Sequence, residues 1–467
     1  MQKYIVQKDP NKPHIWSSAT LYSETVSDQR EQWFSAWMNK TKDIDQHQAI
    51  NFHHFAGDGD MLNNLVMLRE NGISTVSITS IFVGHTDINM VYEDLKNGSK
   101  ENISLIIPLV NKPSILNRWK LKLRVIRIRT LNWEYWPMHL VYAPMYLYWL
   151  YLSVKARSFF FFSAANPMRQ NAGFAMERKS DSYQYLPKQY YPITLICPNG
   201  ISAPELKMRV EDKKLSFPLI AKPEMGERGT GVKLIKDLAG LVDYSRASNT
   251  DFLVQQFITH PYEAGIFYCR LPTEKHGKIT GIVGKQFLSV IGDGEATIRD
   301  LLLKHDRHLL QLRTLEQEPD NSLEEVLEKD EERLLVPYGN HCRGAKFEDL
   351  SHLITDKLTI VIDKLCQQLP AFYFGRLDIK FQNWEELENG NFSVIELNGA
   401  ASEPTHMYDP RHSIFFAWRE IKRHWDMLYQ ISIVNSRTNS VPLMSTAEGM
   451  QMLRAHSAHI SKFAKTQ

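Results

Sequence analysis

Cysteine is scarce in this sequence of 467 residues. The four cysteines, Cys197, Cys269, Cys342 and Cys366, lie far apart and form no C-x-x-C pair. This spacing argues against a disulfide framework or a zinc knuckle, and it predicts buried, reduced thiols. A charge excess is also absent, because the formal net charge is only +2. The composition therefore gives no overall attraction to nucleic acid or membrane, and we expect no nucleic-acid partner.

The N-terminal residues do not predict a secretory signal. Met1–Pro13 is polar and lacks the apolar core of a signal peptide, so we expect a cytoplasmic protein. A chain of this length is expected to form two or three domains. The sequence predicts a small α/β module at residues 1–110, a basic and aromatic connecting segment at 111–165, a main domain at 166–435 and a tail at 436–467.

The small module is predicted from alternating patterns. Strands are predicted at Ala49–Phe55, Ser74–Val83 and Ile103–Val110, with helices at Met61–Glu70 and Ile88–Leu95. Strands that alternate with short helices favour a parallel sheet. Farther along the chain, apolar residues at helical spacing predict two amphipathic helices. These are Asp349–Leu365 and a helix that includes Ile414–Leu428.

The connecting segment combines positive charge with aromatic residues. Arg118–Arg129 is basic, and Tyr135–Val154 contains no Asp, Glu, Lys or Arg. The second stretch is about as long as a membrane span, but Pro137, Pro144 and its many Tyr and Trp residues favour the water–lipid interface. Three interpretations stay open: an interfacial segment around 118–157, a buried aromatic core and a true span.

Two predicted strands gather polar residues. They are Phe372–Phe381 (FYFGRLDIKF) and Phe392–Asn398 (FSVIELN), and a polar turn joins them. Alternate side chains of a strand share a face, so Arg376, Asp378 and Lys380 point one way, as do Glu396 and Asn398. Oxygen ligands of this kind suit Mg²⁺. The alternative is an ordinary sheet face with salt bridges.

A glycine-rich motif follows another apolar strand, in Phe217–Val232 (FPLIAKPEMGERGTGV). Lys222 lies near the end of the strand, and Gly226, Gly229 and Gly231 allow backbone N–H groups to approach phosphate oxygens. The motif is not a P-loop, and a flexible hairpin is the alternative. Phe252–Ile258 (FLVQQFI) then predicts a strand that leads to Glu263, with a plain edge strand as the alternative.

Taken together, these motifs resemble the ATP-grasp superfamily, over roughly Asn166–Asn435. The likeness is to D-alanine–D-alanine ligase and, in GIVGKQFLSVIGDGEATIRDL, to cyanophycin synthetase. The resemblance implies an α/β (α+β) ATP-grasp fold, with two sheets around a nucleotide, preceded by the small α/β module. It also implies residues that bind ATP: Lys179, Lys222, Gly226, Arg228, Gly229, Gly231, Gln255, Gln256, Phe257, Ile258, Glu263 and Lys285. Among these, the glycine-rich loop would cover phosphate, Gln255–Ile258 would meet adenine and Glu263 the ribose.

The resemblance further implies two Mg²⁺ ions held by Asp378, Glu396 and Asn398. Arg376 and Lys222 would be catalytic, because both would stabilise the transferring phosphoryl group. The implied activity joins a small-molecule carboxylate to an amine through an acyl phosphate. A phosphotransferase, or a membrane-associated nucleotide-binding module without turnover, remains an alternative.

The sequence also departs from the family. After Asn398 it runs GAASEPTHMYDP, unlike the dipeptide ligase, so D-alanine specificity is not implied. The usual N-terminal substrate domain is reduced to Phe159–Met176. Asn166 and Gly173 are predicted there either as structural turn residues or as part of a loop over the site.

Overall fold

The fold is taken from a computed structural model. It describes residues 13–15, 22–41, 44–69, 72–83, 87–106, 115–226, 229–317, 322–336, 339, 341 and 344–464. The chain divides into two compact units, Met1–Asn117 and Arg118–Gln467. Cys197, Cys269 and Cys366 are buried and free, as the sequence predicts, and Cys342 lies outside the described residues.

The first unit combines two helices with a small sheet. Its elements are α1 (Glu24–Lys40), α2 (Gln46–Phe55), β1 (Ser77–Val83), β2 (Asp87–Asp94) and β3 (Lys100–Ile106). The strands pair in the order β1-β2-β3, and both pairs are antiparallel. The parallel sheet that the sequence favoured is therefore wrong, because β2 returns beside β1 without a helical crossover.

Three predicted elements of this unit differ from the structure. Ala49–Phe55 lies in α2, which begins at a capping box between Asp45 and Gln48 and buries Ile50 and Phe52. Residues 61–69 form turns instead of a helix. Ile88–Leu95 lies in strand β2 over most of its length, since its backbone pairs with strands on both sides. Tertiary pairing outweighed the local helical spacing here.

The second unit begins with helices. These are α3 (Ile115–Leu131), α4 (Met138–Ala156) and α5 (Lys179–Tyr185). A four-stranded antiparallel sheet follows, in the order β4-β7-β5-β6, with two helices against it. Its elements are β4 (Thr194–Cys197), α6 (Ala203–Asp212), β5 (Leu219–Pro223), β6 (Lys233–Ile235), α7 (Leu238–Ala247) and β7 (Phe252–Gln256). Leu206 and Leu241 pack the helices against buried Leu219 and Val254.

A five-stranded antiparallel sheet continues the unit, in the order β12-β9-β8-β13-β14. The elements up to it are β8 (Tyr262–Cys269), β9 (Lys278–Gln286), β10 (Leu288–Ile291), α8 (Ile298–Lys304), α9 (Asp306–Leu309), α10 (Leu312–Leu315), β11 (Glu332–Val336), β12 (Lys346–Asp349), α11 (Asp356–Gln368), β13 (Phe374–Phe381), α12 (Trp384–Glu388) and β14 (Phe392–Asn398). β10 and β11 pair with each other and, with α8–α10, form an insertion between β9 and β12.

Opposite faces of the five-stranded sheet differ in character. Leu377 and Ile379 point toward α11, where Leu358 and Ile362 are buried against them. The predicted helix at 349–365 corresponds to α11, but α11 begins later, at Asp356 after its N-cap Thr355, and ends at Gln368. Charged residues of β13 alternate with these leucine and isoleucine side chains and therefore lie on the other face.

Two helices end the chain: α13 (Ile414–Thr438) and α14 (Thr446–Ala464). α4 packs against α13, and its buried residues include Val141, Tyr142 and Met145. Its opposite face is exposed. Within the described residues, no helix is both long enough and apolar enough to cross a membrane.

Candidate active site

The hairpin of β13 and β14 brings the predicted oxygen ligands to one face. In its register Asp378 lies opposite Glu396, and Arg376 lies opposite Asn398. Residues directly opposite each other in an antiparallel pair point to the same side of the sheet. The alternation read from the sequence therefore gives the arrangement seen in the structure, with Asp378 and Glu396 on the same face.

Buried charges form a continuous chain across this face. Asp378 receives Arg376 Nε on Oδ1 at 2.8 Å and Lys285 Nζ on Oδ2 at 3.1 Å. The same Lys285 ammonium lies 2.9 Å from Glu263 Oε1. Burial raises the pKa of Asp378, but the charges of Arg376 and Lys285 outweigh it and lower that pKa to about 2. Asp378 is therefore a carboxylate at neutral pH.

The three predicted metal ligands provide two carboxylates and one carboxamide. Hard oxygen donors of this kind fit Mg²⁺, which completes its coordination with water and phosphate. The Nδ2 atom of Asn398 is buried and has no hydrogen-bond partner among the described residues. A phosphate oxygen bound beside it would accept that hydrogen bond. In the described ranges, no group of three or more His, Cys, Asp or Glu side chains could hold a metal ion.

Lys222 connects the two sheets. Its side chain is buried, and Nζ donates to Tyr183 Oη at 3.0 Å, to Gln255 Oε1 at 2.9 Å and to the carbonyl of Ile395 at 3.2 Å. The register of β13 and β14 shifts at Ile395, which leaves its carbonyl available for this contact. In the described part of the chain, no carboxylate lies within 4 Å of Lys222. An anionic ligand would therefore supply the missing negative charge.

The glycine-rich loop and its lysine lie beside this junction. Lys179 Nζ donates to the carbonyl of Gly226 at 2.7 Å. Gly229 and Gly231 adopt φ values of 71° and 74°, which glycine reaches without strain. Arg228, the remaining residue predicted in this loop, lies outside the described residues.

The residues predicted to meet the base and the ribose take several positions. Gln255 holds Lys222, whereas Gln256 is exposed. The backbone carbonyl of Ile258 accepts a hydrogen bond from Lys380 Nζ at 3.4 Å. The same ammonium group lies over the ring of Phe257. Glu263 is buried and paired with Lys285. These contacts gather the predicted residues at the connection between β7 and β8.

Two charged residues of this region were not among the predicted site residues. Lys380 was recognised only as sharing a face with Asp378. Burial lowers the pKa of Lys380. The charge of Glu263 opposes this shift in part, and the charge of Lys285 adds a smaller lowering. Glu403 lies in the segment after Asn398. Its Oε1 accepts from Tyr142 Oη at 2.6 Å, and its carbonyl accepts from Arg376 Nη1 at 3.2 Å. Sequence alone gave no signal, because Tyr142 and Glu403 are 261 positions apart.

The loop that includes Asn171 and Ala172, both with positive φ values, packs against the end of β14. Asn166 is fully buried, and its amide bonds the backbone of Tyr373, Phe374 and Ala172, so its role is structural. A Cβ atom at Gly399 would lie 2.5 Å from the carbonyl oxygen of Ala172 and 2.7 Å from Cα of Gly173. Only glycine permits this close approach directly after Asn398.

A cavity of about 270 Å³ adjoins the same loop. Arg169 and Glu177 line it and form an ion pair at 2.5 Å. Burial raises the pKa of Glu177, and the nearby charges of Asp181 and Glu396 raise it further, although Arg169 opposes the shift. Burial is therefore the main cause of the raised pKa of Glu177, and the two carboxylates contribute least.

Comparison with known proteins gives a partial family match. The model of the tubulin-tyrosine ligase family matches residues 163–264, which include Lys179, Lys222 and Glu263. No curated protein matched the chain. Among solved structures, a bifunctional glutathione synthetase from Pasteurella multocida is 13% identical, with 82% of this chain and 46% of that chain covered and a TM-score of 0.29.

A D-Ala:D-Ser ligase from Enterococcus faecalis is 11% identical, with coverage of 55% and 61% and a TM-score of 0.32. A carboxyaminoimidazole ribonucleotide synthase from Aspergillus clavatus is 10% identical, with coverage of 48% and 44% and a TM-score of 0.29. The chain spans about half the length of these solved structures. Similarities at this level carry no conclusion by themselves. The sequence motifs and the family match agree, and the chain resembles the ATP-grasp superfamily, with an α+β fold built on antiparallel sheets.

Proposed function

We propose that the second unit is an ATP-dependent carboxylate–amine ligase that acts through an acyl phosphate. The observation that carries the proposal is the contact between Lys222 and the carbonyl of Ile395. It joins a buried ammonium group, which has no carboxylate partner among the described residues, to the strand that carries Glu396 and Asn398. A triphosphate and its cation require this combination of positive charge and oxygen ligands.

The residues of the chain suit the two chemical steps. In the first step, a substrate carboxylate oxygen attacks the γ-phosphorus of ATP, and ADP leaves. Lys222, Lys285 and Arg376 bind phosphate oxygens and stabilise the charge that develops on them. Asp378, Glu396 and Asn398 would hold Mg²⁺, which neutralises phosphate charge when bound.

In the second step, the nitrogen of an amine attacks the acyl carbon, and phosphate leaves. The amine must lose a proton to form the amide bond. Glu403 lies beside Arg376 and can attract an ammonium group and accept a proton. The glycine-rich loop, anchored by Lys179, would cover the phosphates and exclude water.

The family match supports an amino acid as one partner in the reaction. The matched family is named for a ligase that acts on tubulin and tyrosine, and residues 163–264 carry the match. We propose that the amine here is likewise an amino acid or a peptide-like amine. As the setting of the reaction we propose the cytoplasm, at the inner face of a membrane.

ADP release tests the proposal. Purified protein is incubated with ATP, Mg²⁺ and pairs drawn from a panel of carboxylates and amines, and products are identified by mass spectrometry. We expect continued ADP release only when both the carboxylate and the amine are present. The mass of the amide product should equal the summed masses of the two substrates minus one water. A stable phosphate ester, formed on a hydroxyl group over many turnovers and without any amine, would contradict the ligase and identify a phosphotransferase.

A further inference from the structure

Helix α3 carries an apolar stripe on its solvent side. Trp119, Leu123 and Ile126 are 60%, 61% and 59% exposed. Spacings of four and three residues place them on one face of the helix. Ile128, on the opposite side, is buried. A soluble helix normally turns its apolar face inward, so this stripe is unusual for a surface in water.

Positive charges border the stripe. Lys122 and Arg129 lie on one side of it, and Lys120 and Arg127 lie on the other, at helical spacing. All four are exposed, and none forms an ion pair with a carboxylate in the described ranges. Lysine and arginine beside an apolar face can lay their alkyl chains along it and keep their charges at the rim.

Helix α4 presents a second exposed apolar face. Leu147 is 74% exposed and Val154 71%, and Leu140, Leu150 and Tyr151 share this side. No charged residue occurs in the helix before Lys155. The only acidic residue between positions 115 and 157 is Glu134, which is paired with Arg307 and His341. The two helices themselves therefore offer apolar side chains and positive charge, and the neighbouring carboxylates Asp306 and Asp426 are paired with Arg124 and Lys422.

We infer that the exposed faces of α3 and α4 dock the protein onto an anionic lipid bilayer surface, without crossing it. The apolar side chains lie at the boundary between headgroups and acyl chains, and Lys120, Lys122, Arg127 and Arg129 meet anionic headgroups. We choose an anionic lipid surface because four cations border the apolar stripe of α3. A neutral protein partner would not require these cations.

Helix α4 also reaches the candidate active site. On its buried face, Tyr142 donates to Glu403, which contacts Arg376. One helix therefore has lipid-facing residues on one side and a site residue on the other. If the proposed ligase activity holds, this arrangement implies a substrate that is itself held at the bilayer. The docking surface does not depend on that activity.

Vesicle flotation of the full chain tests the inference. Phosphatidylcholine vesicles with about one-third phosphatidylglycerol are compared with phosphatidylcholine alone, at low and high salt. We expect binding to the anionic vesicles that weakens with salt. The variant Lys120→Gln/Lys122→Gln/Arg127→Gln/Arg129→Gln should lose about a thousandfold in vesicle affinity. Leu147→Asp/Val154→Asp should also abolish binding.

Matched controls separate docking from general surface changes. Lys207→Gln/Lys213→Gln/Arg246→Gln/Lys364→Gln removes four exposed cations elsewhere, and Ile360→Asp changes an apolar residue that is 67% exposed on α11. Both should bind vesicles like the unmodified protein. Failure of the intact protein to float with anionic vesicles at low salt overturns the inference. So does a dimer in solution that Leu147→Asp/Val154→Asp dissociates while vesicle binding is absent. ADP release, measured without vesicles, reports separately on the ligase proposal.

Discussion

Lys222 is a buried ammonium group held by neutral oxygens. Its partners are Tyr183, Gln255 and Ile395. Lys222→Met should reduce ADP formation by about a hundredfold or more, because one group that stabilises transition-state charge contributes ~3 kcal/mol. Initial rates of ADP release measure the effect. The exposed lysine variant Lys213→Met should keep the normal rate, and equal rates for both variants would show that Lys222 has no catalytic role.

Tyr142 is expected to act through Glu403. Tyr142→Phe removes one hydrogen bond, worth roughly 1 kcal/mol, and should raise KM for the amine about fivefold, with little change in kcat. Steady-state kinetics with each substrate varied in turn separate the two constants. Tyr151→Phe, on the exposed side of the same helix, is the control. An unchanged KM for the amine in Tyr142→Phe would remove Glu403 from the amine site.

His424 makes stability depend on pH. It is buried, with Nδ1 2.8 Å from the carbonyl of Glu420 and Nε2 3.0 Å from Thr280 Oγ1. Burial lowers the pKa of His424 to about 3, with a further lowering by Arg423. In the unfolded chain, His424 binds a proton below about pH 6.5, whereas in the folded protein it stays neutral at that pH. Stability from this group is therefore complete above that pH and falls as the pH drops toward 3.

Between pH 7 and pH 5 this loss should be about 2 kcal/mol. Glu420, whose pKa is lowered to about 2 by His406 and Arg423 against the effect of burial, adds its own loss only at lower pH. His424→Gln should flatten the dependence in urea unfolding experiments at the two pH values. A variant with the same dependence as the unmodified protein would assign the effect to other groups.

Sequence reasoning succeeded where strand alternation decided the outcome. Arg376, Asp378, Glu396 and Asn398 share a face because period-two geometry requires it once the hairpin forms. It failed where contacts join distant positions. Glu403 depends on Tyr142, and the pairing of Lys222 with Ile395 depends on a local shift in register, which alternation does not reveal.

The segment Gly292–Ile298 shows how a motif can be structural. Asp293 accepts hydrogen bonds from the backbone of Glu295 and Ala296, and Thr297 forms the capping box of α8 with Asp300. Thr297→Ala should lower the free energy of unfolding by about 1 kcal/mol and leave ADP release unchanged. Thermal unfolding and rates on the same preparation check both. Lost activity at unchanged stability would instead indicate a functional segment.

At the scale of elements, amphipathic helices were easier to predict than the small sheet. The apolar face of α11 is long and regular, and it matches the buried residues Leu358 and Ile362. In the first unit, β2 is a central strand whose neighbours cover its backbone on both sides. Its partners, and not its own spacing, determined its structure.

The second unit gathers its candidate site from distant parts of the chain. Tyr142, Asn166, Lys222 and Asn398 come from separate elements, and packing between the four-stranded and five-stranded sheets brings them to the same region. The matched family segment ends at residue 264, before β13 and β14. The family match therefore does not extend to the proposed metal ligands, and the support for them comes from the hairpin geometry of β13 and β14.

Equilibrium binding of a non-hydrolysable ATP analogue, with and without Mg²⁺, tests the central claim most directly. The full chain should bind the analogue tightly only when Mg²⁺ is present. Glu396→Gln should weaken this Mg²⁺-dependent binding at least tenfold, whereas Glu385→Gln, an exposed glutamate on α12, should not. No binding by the unmodified protein, or equal binding by both variants with and without Mg²⁺, would contradict a nucleotide site between the two sheets.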